Sequence, residues 1–160
     1  MITLVNGFES YCKKRFLEIE NEGKKPDSLQ LIKTFTTKSE KDNDIKNKII
    51  EESKLKKISI LEFIIINKRI DFQNFKKCNT AFKKGYNISF YNDLALEADN
   101  LDLIKKVIHY RHKLVHHSMT ESNFNLNKVI SEPIFTNLEL GKKCIKIFSK
   151  FINQLHKKTS

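Results

Sequence analysis

A chain of 160 residues with 39% hydrophobic residues, 12 Phe and no Trp has apolar material for one core, since a globule of this length buries roughly 70% of its unfolded surface. Only 4 Gly and 2 Pro are present, too little turn chemistry for a many-stranded sandwich or barrel. The net charge of +11 and pI near 9.5 point towards a polyanionic partner, because each cation set beside a phosphate releases counterions. The competing explanation is a Lys-rich solvated surface, and Lys does supply 27 of the 30 basic residues.

Taken in chain order, Leu4, Phe8, Tyr11, Cys12, Phe16 and Ile19 follow helical spacing and predict a helix over 3–21, closed near Gly23. Pro26-Asp27-Ser28 reads as a restart, with Leu29, Ile32 and Phe35 on one face. Residues 36–57 are rich in charged and polar side chains and predict a mobile loop followed by a helix around 44–57. The run Ile58–Ile66 has the β-branched content of a strand, but no partner strand lies nearby, so a buried helix is expected. A short helix over 72–83 and a polar turn at Lys84-Gly85-Tyr86-Asn87 follow.

Asp93, Glu97, Asp99 and Asp102 lead into the most regular helix, with Asp99 or Asn100 as its expected N-cap. Its apolar face is Leu101, Ile104, Val107, Ile108, Leu114 and Val115. A polar loop at 118–127 precedes Ser131-Glu132-Pro133, the start signal of a last helix. That helix is expected to bury Ile134, Leu138, Ile145, Phe148, Phe151, Ile152 and Leu155. The expected architecture is all-α: one bundle of five to six helices spanning 1–160, without repeat or domain boundary.

Cys12, Cys78 and Cys144 are widely spaced and odd in number, which argues against a disulfide framework or zinc module and for small buried hydrophobes in a reducing compartment. The N-terminal segment lacks the basic start and apolar run of a signal peptide, and the longest apolar run, Phe63–Ile66, is far short of a span. A cytoplasmic protein with no membrane association is expected.

Four of the five histidines, His109, His112, His116 and His117, fall within nine residues, with Arg111 among them. At ~100° per residue, Arg111 lies in the middle of the apolar stripe and His109, His112 and His116 on the neighbouring flank. A guanidinium there is costly unless paired or lining a site, and its planar fork suits phosphate. The alternative is a structural Arg bridging to an acid within 93–102. An imidazole such as that of His116 gives or takes a proton near neutral pH; taken alone, it reads as a polar residue near a helix end.

Arg111-His112-Lys113-Leu114-Val115-His116, late in an amphipathic helix, resembles the signature of the HEPN superfamily: Arg, a polar residue, three further residues and His. The resemblance by architecture covers about residues 55–157, and His112 stands where Asn is commonest. It implies a metal-independent endoribonuclease of toxin or antiviral-defence type, needing no cofactor. The RNA 2′-hydroxyl would attack the adjacent phosphate, with His116 as general acid or base, Arg111 stabilising phosphoryl charge and His112 holding the geometry. Lys113 and His117 would contact RNA. It also implies a homodimer with facing motifs, and an antitoxin or nucleotidyltransferase-type partner is compatible with it. On one continuous helix Arg111 and His116 lie ~140° apart, so they converge only if the helix ends near Val115 or a second subunit supplies the partner group.

Three rivals remain. A non-catalytic HEPN-like nucleotide- or RNA-binding or assembly module would keep the fold without the chemistry. A zinc site at His109, His112 and His116 has helical ligand spacing, but Lys113 stands where a hydrolytic site needs Glu. A helical DNA-binding protein would need a recognition-helix signature that is not found.

Overall fold

The computed structural model describes residues 2–36, 45–67, 69–120 and 138–160, and of Ile2 and residues 112–120 the backbone course alone. The described residues form seven helices and no strand: α1 (Ile2–Asn21), α2 (Ser28–Phe35), α3 (Ile45–Leu55), α4 (Ile60–Ile66), α5 (Phe75–Tyr86), α6 (Ala98–Thr120) and α7 (Leu138–Thr159). The all-α class is as expected. The count, seven among the described residues, differs slightly from five to six; the two short helices each begin on a side-chain cap, Asp27 accepting from Gln30 N–H at 2.9 Å at the start of α2 and Ser59 accepting from Glu62 N–H at 3.1 Å at the start of α4. Among the described residues no helix is long and apolar enough to cross a membrane.

The Ile58–Ile66 run is the buried helix α4, with Leu61, Phe63, Ile64 and Ile65 in the core. Several boundaries differ from the sequence reading. The helix expected over 72–83 is α5, displaced towards the C-terminus because Asn74 caps it, accepting from Lys77 N–H at 3.1 Å. It runs through the expected turn at 84–87 and closes on Asn87 in the left-handed conformation, φ 57°. Gly85 is therefore helical. A Cβ there would sit 3.1 Å from Phe16 and 3.3 Å from Leu31, so any side chain would press on the Phe16 ring and a Leu31 methyl where α5 meets α1 and α2. Gly23, at φ +93°, closes α1 as expected.

Helix α6 starts at Ala98, before the expected cap at Asp99 or Asn100: the Glu97 carbonyl already accepts from the N–H groups of Asn100 and Leu101. At its other end it continues to Thr120, so 118–120 are helical, and the rest of the 118–127 loop lies outside the described residues. The Ser131–Pro133 start signal, Ile134 and the 37–44 loop also lie outside them. Two faces differ from the sequence expectation. In α7 the buried stripe is Cys144, Ile147, Phe148, Phe151 and Leu155, leaving Leu138 and Ile145 exposed. In α2, Leu31 is buried with Ile32, and Leu29 is exposed. In each helix one stripe at 3.6-residue spacing faces the core, and a neighbour ~100° away turns out to solvent.

Helix α1 packs against α6 and α7; α2 against α4 and α5; α3 against α4; α5 against α6. At the centre Phe8, Phe75, Phe90 and Phe151 meet at centroid separations of 5.0–6.2 Å. Phe82 joins them to a second cluster around Phe16, Phe72 and Tyr86. Each buried Phe contributes about 1.5–3 kcal/mol, so this aromatic spine ties the start of α5 to α1 and α7. Cys12, Cys78 and Cys144 are free and buried, and burial pushes the Cys78 thiol well up.

Candidate functional site

Leu101, Ile104, Val107 and Ile108 seat α6 on the core. Arg111, three residues past Ile108, takes the next step of the same stripe. Its side chain reaches the junction of α1, α6 and the loop that opens α5. Nη1 donates to Gln73 Oε1 at 3.2 Å, and Nη2 donates to Asn6 Oδ1 at 3.1 Å. Gln73 in turn donates its amide N–H to Glu9 Oε1 at 3.2 Å, which fixes the amide with its oxygen towards the guanidinium. Nε is buried and has no hydrogen-bond partner among the described residues.

Arg111 is thus held by two neutral oxygens, and among the described residues no carboxylate bonds it directly. The alternative of a bridge to the acidic stretch fails there: Asp93 accepts from Ser89 N–H and pairs with Lys158, and Asp102 pairs with Lys105 at 2.8 Å. That last contact holds the Asp102 carboxyl below its ordinary range and raises Lys105. Of five guanidinium donors, the two amides take two.

Beside Arg111 a groove of about 440 Å³ opens between the start of α5 and α6, lined by Gln73, Asn74, Lys76, Lys77, Lys105 and His109 among others. His109 is exposed on its wall, the one histidine of the cluster whose side chain is described. The side chains of His112, Lys113, His116 and His117 lie outside the described residues; the structure gives their positions along α6. Because α6 is unbroken to Thr120, ~140° of helix separates Arg111 from His116. The option of a helix ending near Val115 is overturned. No group of three or more His, Cys, Asp or Glu that could hold a metal occurs among the described residues, which excludes two of the three histidines of the zinc alternative from that statement.

Sequence reasoning missed Gln73, Asn6 and Glu9, the residues that position Arg111. They lie on α1 and before α5, and their only signal is a polar side chain beside an apolar position, which many solvated residues share. Comparison with known families, with curated proteins and with solved structures gave no match to this chain.

Proposed function

We propose that the protein is a metal-independent endoribonuclease acting as a homodimer, of the kind found in toxin and antiviral-defence systems. The observation that carries the reading is Arg111, a cation held in place by the neutral oxygens of Gln73 and Asn6, with Gln73 itself lining the neighbouring groove. A guanidinium so held keeps its charge for an anion and needs little reorganisation when phosphate arrives. The HEPN-like order Arg111, His112, His116 supplies the remaining chemistry.

In the proposed reaction the 2′-hydroxyl of RNA attacks the neighbouring phosphorus and loses its proton to a base. The bond from phosphorus to the 5′-oxygen breaks, and that oxygen takes a proton. The products are a 2′,3′-cyclic phosphate and a 5′-hydroxyl. His116 exchanges the proton, Arg111 neutralises charge on the non-bridging oxygens, and His112 holds the geometry. Lys113 and His117 contact the RNA backbone. Since the unbroken α6 turns Arg111 and His116 apart, each phosphate is served by Arg111 of one chain and His116 of a second. An antitoxin or nucleotidyltransferase-type protein would be the neutralising partner.

The test is cleavage of RNA by the parent in excess EDTA, with Arg111→Ala and His116→Ala beside it. Persistent cleavage by the parent, reduced about 10²–10³-fold or more in each variant, is expected. Loss of activity on chelation would move the chemistry to a metal. Binding without cleavage would make the domain a non-catalytic module.

A further inference from the structure

A second groove, of about 360 Å³, is lined by Thr34, Phe35, Thr36, Arg69, Lys76, Lys77 and Thr80. It runs between the end of α2 and α5, and it shares Lys76 and Lys77 with the groove beside Arg111. The two therefore flank one turn of α5, with both exposed lysines on the divide. Among the described residues the combined lining holds Arg69, Lys76, Lys77, Lys105 and His109 with one carboxylate, Asp71, while Lys105 is also paired with Asp102 at 2.8 Å beside the groove. That carboxylate is already 3.6 Å from Lys77 Nζ. Tyr91 adjoins the first groove: it packs edge-on against Phe75, lies under Lys105 Nζ and is 44% exposed.

We infer that the two grooves form one continuous track for single-stranded RNA, leading from Arg111 over Lys76 and Lys77 to Arg69. This rests on the reading of Arg111 as a phosphate-binding group on RNA. Phosphates are the anions a chain of separated cations meets in series. The amide of Asn74 and the hydroxyls of the second groove offer polar groups to ribose and base edges. Tyr91 supplies a ring on which an unpaired base stacks, which a duplex would not expose and an acidic peptide would not need. The track gives the enzyme affinity for substrate several nucleotides away from the scissile phosphate, carried by residues that take no part in the reaction.

The experiment measures binding of a fluorescent oligouridylate to the full chain by anisotropy across a salt series. Lys76→Ala/Lys77→Ala is compared with Lys142→Ala/Lys146→Ala, which removes the same charge from exposed positions on α7. The α5 pair is expected to weaken binding at least tenfold and to reduce the log–log salt slope by about 1.4, two single-strand contacts' worth. The α7 pair is expected to change both far less. Equal losses from the two pairs, or no binding by the parent at low salt, would overturn the track. So would an oligoglutamate probe that binds as tightly with the same dependence on Lys76 and Lys77. A parent that cleaves RNA while the α5 pair binds normally rejects the track and leaves the catalytic reading. A parent that binds through the α5 pair and never cleaves does the reverse.

Discussion

Two arginines show what separates a residue that builds the fold from one that the fold presents. Arg15 is 1% exposed. Its Nη1 and Nη2 donate to the two oxygens of Glu22, Nε donates to Thr159 Oγ1 at 2.7 Å, and Nη2 also reaches Ser160. This knot ties α1 to the end of α7, and its charge is neutralised in place. Among the described residues Arg111 makes two bonds, both to neutral amide oxygens, with the nearest bonded carboxylate one amide further away at Glu9. The first guanidinium has nothing left to offer a ligand. The second is positioned and still has donors to give.

The comparison breaks most visibly on stability. Arg15→Ala strips a buried fork from Thr159 and Glu22 and is expected to cost about 3–5 kcal/mol. That is a fall in Tm of roughly 6–20 °C for a chain of this size, whereas Arg111→Ala is expected to stay within a few degrees of the parent; a thermal melt of both checks this. Arg111→Lys probes the other side. An ammonium cannot span Gln73, Asn6 and a phosphate together, so RNA cleavage should fall about 10²-fold with the melt unchanged. A lysine variant as active as the parent would reduce Arg111 to a general positive charge.

A smaller effect is expected at the clamp. Gln73→Ala removes one of the two bonds that position Arg111 and should lower kcat about tenfold, with KM and Tm little changed, as single-turnover and steady-state rates on one RNA would show. The smallest effect is the acid limb of stability. The hydrogen bonds from Arg15 hold the Glu22 carboxyl below its ordinary range. A depressed folded pKa gives stability that is fully present above the unfolded value, about 4.3, and lost as pH falls through the lowered one. Melts from pH 6 downwards should therefore show the parent more stable than Glu22→Gln at the top of the range, with the difference closing in acid. A gap that holds constant to the lowest pH would remove the charge from the Arg15 knot.

Most helices were legible because their signals are local: the apolar spacing of α1 and α6, the Pro26–Ser28 restart, and the length and isolation of the Ile58–Ile66 run. Boundaries slipped where a single cap decides, at Asn74 and Asn87 for α5 and at Glu97 for α6. Gly85 misled because a glycine that usually marks a turn here serves close packing against Phe16 and Leu31. Of the site, Arg111 stood out as a cation on an apolar stripe. The roles of Gln73, Asn6 and Glu9 did not, since they depend on three chain segments meeting, with Asn6 105 residues from Arg111 in the sequence. The Arg15 knot was hidden for the same reason: its Thr159 partner is 144 residues away.

The central claim is that Arg111 of one chain and His116 of another serve one phosphate, because the unbroken α6 holds the two residues of a single chain apart. Complementation reads this directly. Arg111→Ala and His116→Ala are purified separately, each inactive on RNA, then mixed under conditions that exchange subunits. Random pairing makes half of the dimers mixed, and each mixed dimer has one complete site of two, so cleavage should return to roughly a quarter of the parent rate. A mixture that stays as inactive as its components, while subunit exchange is confirmed by a mass-tagged chain, would contradict the account.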